Sequence, residues 1–239
     1  MAAGSSYVSA AGSAGPLRRP APDAGAWLAE LAASPLIVVL RARHASEYAP
    51  VMEALLEGGV RHVELTLSTA GVLEALGDLV RQYGADARIG VGTVTDAVSA
   101  GTLIGAGAGF LVTPVMSVEV VATATAAGIP VVPGGLTPTE LYAGWQAGAP
   151  AVKVFPASLV GPGYVSQLRG PFPDIQVIPS GGIGTEEADA WLRAGALAVG
   201  MGGPLVQDAF AGGSLAGLKE RSRKLVAAVA TARGSGTGQ

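Results

Sequence analysis

The sequence predicts an α/β fold in which eight short parallel strands alternate with helices and close into a single-domain (β/α)8 TIM barrel. Three observations carry this expectation. Continuously apolar runs of four to six residues alternate with longer Ala/Leu-rich segments of helical period, the pattern of a parallel sheet covered on both faces. The runs recur about every twenty residues, evenly enough for a closed ring. The chain has 239 residues, close to the ~250 that one such barrel uses. An open doubly wound sheet is the structural alternative, but Leu40-Arg41-Ala42-Arg43 after the first strand lacks the glycine fingerprint of a nucleotide-binding turn.

The elements follow in order. Residues 1–24 are rich in Ala, Gly, Ser and Pro, with Arg18 and Arg19 near their end. A secretory signal would place the charge before an apolar stretch, so a disordered extension on a cytoplasmic protein is expected. A short helix at 24–33 is placed to plug the N-terminal mouth, and the barrel itself is assigned to 25–232. Strands are predicted at 36–41, 62–67, 88–92, 109–114, 130–133, 151–155, 175–179 and 196–200. Helices are predicted at 46–57, 70–83, 96–106, 117–127, 137–147, 162–169, 185–194 and 215–232, before a flexible tail at 233–239. Thr137 with Glu140 reads as a capping box, and Gly58, Gly84, Gly128, Gly148 and Gly195 as C-terminal stops.

Composition narrows the function. Hydrophobic residues make up 49% and charged residues 14%, enough for a large core. The net charge of −3 without a basic cluster argues against nucleic acid or an anionic membrane surface as partner. No run of about 18 apolar residues suggests a membrane span. The absence of cysteine excludes thiolate chemistry and Cys-ligated metal. The only histidines, His44 and His62, open a helix and a strand, which predicts surface or capping roles.

Barrel enzymes react at the C-terminal ends of their strands, so polar residues there are the candidates. The chain has three lysines, and Lys219 and Lys224 lie in the charged final helix. Lys153 instead interrupts the apolar strand Ala151-Val152-Lys153-Val154-Phe155-Pro156. An ammonium group buried without a partner is costly, and an amine relieved of its proton attacks carbonyls to form Schiff bases. The bland alternative is a stem that packs while its head snorkels or meets a carboxylate. Glu64 stands in the second strand within Val63-Glu64-Leu65-Thr66-Leu67, so acid and amine can face one cavity from opposite walls. They suit either a structural ion pair or a nucleophile with its proton shuttle. Strand ends also offer Arg41, Thr93, Pro114 and Ser180. Gly181-Gly182 and Gly202-Gly203 follow strands seven and eight, where barrel loops bind phosphate through backbone N–H groups.

Five motifs in order then carry a resemblance spanning roughly residues 35–206. They are Gly58-Gly59-Val60 with Val63-Glu64-Leu65-Thr66, Ile89-Gly90-Val91-Gly92-Thr93-Val94, Pro133-Gly134 with Thr137-Pro138-Thr139-Glu140, and Lys153-Val154-Phe155-Pro156. The fifth is Gly170-Pro171-Phe172-Pro173 followed by Pro179-Ser180-Gly181-Gly182-Ile183. The chain resembles the class I aldolases acting on 2-keto-3-deoxy-6-phosphogluconate, phosphogalactonate and 4-hydroxy-2-oxoglutarate. The resemblance implies Lys153 as the Schiff-base lysine, Glu64 as general acid/base, Thr93 and Phe155 as pocket lining, and Gly181 and Gly182 on a phosphate. It also implies a small keto acid or phosphosugar acid as substrate, a homotrimer, and neither metal nor organic cofactor. Two positions depart from the pattern. Ser68 stands where many members carry a carboxylate-binding arginine, a role that Arg41 is expected to take. Gly203 stands where a phosphate-binding serine is common. A barrel that binds a phosphorylated ligand without cleaving it, or an inactive scaffold trimer, is the rival reading.

Overall fold

The computed structural model describes residues 24–234; the expected N-terminal extension and the end of the tail lie outside the described residues. The chain begins with α1 (Ala24–Ala33) and β1 (Leu36–Leu40), followed by α2 (Tyr48–Glu57), β2 (His62–Thr66), α3 (Val72–Tyr83), β3 (Arg88–Gly92) and α4 (Ala97–Gly105). It continues through β4 (Leu111–Val112), α5 (Val118–Ala126), β5 (Val131–Val132), β6 (Gly134–Gly135), α6 (Pro138–Gln146), β7 (Val152–Val154) and α7 (Gly163–Arg169). The last elements are β8 (Val177–Pro179), α8 (Ala188–Arg193), β9 (Val199–Met201), α9 (Gly203–Val206) and α10 (Leu215–Gly234).

The predicted alternation is present throughout, with differences at the boundaries. Helix 46–57 is entered through a 3-10 turn, Ala45–Glu47, capped by the His44 side chain. The predicted strand 130–133 contains β5 alone, and a further short strand that was not expected, β6, follows Pro133, which has no N–H to donate to a ladder. The short helix α9 was not expected; it is a single turn following Gly202. Thr137 and Glu140 form the reciprocal capping box that their spacing predicts.

All strand pairs are parallel. They form a curled six-stranded sheet, β5-β4-β3-β2-β1-β9, and a three-stranded sheet, β6-β7-β8. Hydrogen bonds cross both gaps between the sheets: Lys153 N–H donates to Pro133 O at 2.8 Å, and Leu197 N–H donates to Val177 O at 2.8 Å. A parallel bridge also joins Ser180 to Gly200.

Strand alternation divides the core in two. Val63 and Leu65 of β2, and Val152 and Val154 of β7, pack outward in the larger cluster that also takes the helices' apolar faces. The opposite face holds a smaller cluster in which Trp27 and Leu31 of α1 meet Ile37, Phe110, Val112, Val132 and Ile178. Trp27 lies 5.8 Å from the Phe110 ring, and Gly90 leaves room for that ring, because a Cβ there would come within 2.5 Å of it. An apolar floor with α1 packed on it therefore occupies the interior face.

His62 departs from its predicted surface role. It is 2% exposed, and neither ring nitrogen has a hydrogen-bond partner among the described residues. It shares the parity of Glu64, so it points to the interior face, close to the Glu30–Arg88 ion pair that ties α1 to β3. Burial, the largest effect, pushes its pKa down to about 4 against the pull of Glu30.

Candidate active site

Because Val63 and Leu65 face the helices, Glu64 must face inward; the same parity turns Lys153 inward between Val152 and Val154. Both line one cavity of about 660 Å3 at the C-terminal ends of the strands. Glu64 is 3% exposed and Lys153 is 8% exposed. No ion pair joins them among the described residues, and the Lys153 ammonium nitrogen sits 4.9 Å from the centroid of the Phe155 ring. The Lys153 head is therefore not consumed by a structural salt bridge. Its strand neighbours in register are Gly134 and Ile178.

Gly92 explains how the Glu64 carboxyl fits. A Cβ at residue 92 would fall 1.7 Å from Glu64 Oε1 and 2.4 Å from Cδ. The missing side chain on β3 is thus the space the carboxyl occupies. Burial raises the Glu64 pKa above the usual carboxyl value, with the positive charges of Lys153 and then Arg41 opposing the rise. A carboxyl in that condition holds its proton more readily than an exposed glutamate, as a general acid must. The next residue, Thr93, has φ +64°, a left-handed conformation that a β-branched residue adopts only under external constraint. It also lines the cavity.

The remaining sequence candidates converge on the same space. Arg41 and Pro114 line it, as do Phe155 and Ser180. Gly181 and Gly182 at the end of β8, and Gly202 and Gly203 at the end of β9, form another part of its wall. At Gly181 and Gly182, φ is +89° and +74°, and a Cβ would meet the Phe155 ring and Ser158 respectively. At Gly203 a Cβ would meet nothing within 4 Å, so that position opens into free space. Ser68, in contrast, is exposed and gives its hydroxyl to Thr66 Oγ1 at 3.3 Å. Thr66 Oγ1 also lies 3.2 Å from Thr69 Oγ1, which accepts from Ala42 N–H at 3.2 Å and so ties the β2 loop to the loop bearing Arg41.

Sequence reading missed several lining residues. Thr66, at i+2 from Glu64, and Arg43, at i+2 from Arg41, both line the cavity. Strand parity was a usable signal for the first and a weaker one for the second, which lies beyond β1. Gln207 and Phe210 arrive from α9 and the turn after it, and nothing in their local sequence marks them. Among the described residues no cluster of three metal-binding side chains occurs.

A buried amine, a buried carboxyl and glycine-built loops at the carboxyl ends of parallel strands suit carbonyl chemistry on an anionic substrate. The chain belongs to the KDPG and KHG aldolase family, which matches residues 28–215. It is 39% identical over 150 residues to the 2-dehydro-3-deoxy-phosphogluconate aldolase of Dickeya dadantii, covering 62% of this chain and 68% of that protein. It is 35% identical over 172 residues to the 2-dehydro-3-deoxy-6-phosphogalactonate aldolase of Escherichia coli, covering 72% and 84%. The KDPG aldolase of Legionella pneumophila, solved with pyruvate captured as a covalent carbinolamine, superposes with a TM-score of 0.76 at 29% identity, covering 83% of this chain and 97% of that one.

Proposed function

We propose that this protein is a class I aldolase that reversibly cleaves a 2-keto-3-deoxy-6-phospho sugar acid to pyruvate and an aldehyde, with Lys153 as the Schiff-base nucleophile. The phosphogluconate derivative is the substrate we favour, with 4-hydroxy-2-oxoglutarate a further substrate; relatives of both the phosphogluconate and phosphogalactonate type leave the phosphogalactonate acid as the alternative. One observation carries the reading: Lys153 and Glu64 are buried in one cavity without pairing to each other. A purely structural acid–amine pair would be expected to close.

The Lys153 amine adds to the C2 ketone, and water leaves to give an iminium ion. The Glu64 carboxylate takes the proton of the C4 hydroxyl as the C3–C4 bond breaks, and the bond's electron pair flows into the iminium to form an enamine. The aldehyde departs. Glu64 then returns a proton to C3 through a water, and hydrolysis of the resulting iminium frees pyruvate and Lys153. Arg41 and Thr93 orient the carboxylate, Pro114 and Phe155 shape the apolar wall, and Ser180 with the backbone of Gly181, Gly182, Gly202 and Gly203 holds the phosphate end. The carbinolamine trapped in the Legionella relative supports the first step.

We further propose that the two sheets are arcs of one closed (β/α)8 barrel forming a single domain over 25–232. The hydrogen bonds from Lys153 to Pro133 and from Leu197 to Val177 support that closure. A cytoplasmic homotrimer is the accompanying proposal. Its supports are a structural neighbour that is a designed cage of fused symmetric oligomeric domains, and the lack of any helix long and apolar enough to cross a membrane among the described residues.

The deciding experiment is incubation with pyruvate and borohydride followed by peptide mass spectrometry. Reduction of the iminium should fix one pyruvate-derived group on Lys153. A protein that stays unmodified, or is modified only at Lys219 or Lys224, overturns the reading.

A further inference from the structure

The cavity carries more positive charge than the chemistry at its floor requires. Lys153, Arg41 and Arg43 line it against a single acid, Glu64. The two arginines play different electrostatic parts. The Arg41 charge acts on buried Glu64 and Tyr48, which places it toward the reacting end. Arg43 has no such influence on Glu64.

Arg43 lies in the loop that follows β1, and β1 pairs in parallel with β9. That loop is therefore next to the turn that carries Gly202 and Gly203. The closeness is direct in β1, four residues before Arg43, where a Cβ at Gly202 would lie 3.2 Å from Val39 O, and Arg43 lines the same cavity as Gly202 and Gly203. Glycines at these positions offer backbone N–H groups but no side-chain charge, and Gly203 faces open space. A dianionic group bound there is further stabilised by a cation from a neighbouring element.

Arg43 is placed and free to supply it. Its own N–H donates to Glu47 Oε2 at 2.9 Å, and its carbonyl accepts from Ala70 N–H at 3.3 Å, so its backbone is held on both sides. Among the described residues its guanidinium has neither an ion-pair nor a hydrogen-bond partner, although Glu47 stands in the 3-10 turn just after it. The Glu47 carboxylate is occupied instead by the backbone N–H groups of Arg43 and His44 in a capping box. An exposed guanidinium on a fixed backbone at a cavity rim is suited to bidentate recognition of phosphate.

We propose that Arg43 determines specificity for the terminal phosphate monoester of the substrate, adding a side-chain cation to the backbone donors of the β8 and β9 loops. The proposal rests on the aldolase reading for the identity of the substrate, though not for the binding of phosphate.

The test compares the parent with Arg43→Gln and Arg43→Lys in the direction of synthesis, with pyruvate plus either glyceraldehyde 3-phosphate or unphosphorylated glyceraldehyde. The ratio of kcat/KM for the phosphorylated over the unphosphorylated aldehyde should fall about ten- to a hundred-fold in Arg43→Gln, mainly through KM, with Arg43→Lys in between. A ratio equal to the parent's overturns the proposal. Binding of glycerol 3-phosphate, followed calorimetrically, needs no turnover. It should weaken by a similar factor in Arg43→Gln, and unchanged binding would count against Arg43 whatever reaction the protein catalyses. Failure of pyruvate trapping in the parent would instead remove the aldolase reading, leaving the calorimetric result to decide the role of Arg43.

Discussion

His62 offers a stability prediction whose size follows from its surroundings. The ring is buried beside Glu30 and Arg88 with both nitrogens unpartnered among the described residues, and its pKa is about 4 in the folded protein against 6.5 for an ordinary histidine. Between those values the unfolded chain binds a proton that the native protein does not, so native stability falls as the pH drops from 6.5 toward 4. The full effect of a shift from 6.5 to about 4 is about 3 kcal/mol, of which about 2 kcal/mol is lost between pH 7 and pH 5. His62→Leu removes the titrating group and keeps an apolar side chain of similar bulk in the same space. At pH 7 the variant should equal or exceed the parent in stability, because two unsatisfied polar atoms leave the interior. Urea unfolding followed by tryptophan fluorescence at pH 7, 6 and 5 should give curves that diverge by about 2 kcal/mol as the pH falls. Other acid-sensitive groups, such as the capping carboxyl of Glu140, are common to both proteins and cancel in the difference. If the two stability–pH curves run parallel, His62 is already partnered or protonated in the native protein, and the account of its burial is wrong.

The site itself gives further expectations. Gly92→Ala places a methyl group where the Glu64 carboxyl lies, so the carboxyl must move; pyruvate trapping at Lys153 should persist while cleavage falls by roughly 10²–10⁴-fold. Parent-level cleavage in that variant would separate Glu64 from proton transfer. Glu64→Gln should lose cleavage on the same scale of roughly 10²–10⁴-fold, and it should also be more stable than the parent at neutral pH. The sign follows from the raised pKa of Glu64: the native state holds the proton more tightly than the unfolded chain, so stability drops as pH rises through that window and stays lower above it. Thermal unfolding at pH 5 and pH 8 checks this, and a less stable Glu64→Gln protein at pH 8 would refute it.

Much of the strand–helix alternation and the centre of the candidate site were legible from residue order alone. Strand alternation assigns each residue to a face, and an ionisable residue on an otherwise apolar strand stands out against it. Glu64 and Lys153 were found in this way, and the strand-end rule located Arg41, Thr93, Pro114 and the glycines. The capping box at Thr137 and Glu140 was equally local, since its hydrogen bonds span three residues. Parity, however, specifies a face and not a depth. His62 and Glu64 have the same parity on β2, yet only the tertiary structure decides that the first lines a cavity beside Glu30 and Arg88 with neither ring nitrogen partnered among the described residues, while the second lines the cavity that also holds Lys153. The left-handed backbone of Thr93 and the room that Gly92 leaves for a carboxyl on a different strand depend on neighbours distant in sequence. Arg43, Gln207 and Phe210 reach the cavity by long-range pairing of β1 with β9 and the turns beyond them. Local sequence encodes hydrogen bonds and periodicity along the chain, but the distance between side chains on different strands exists only once the sheet has curled and its registers are set.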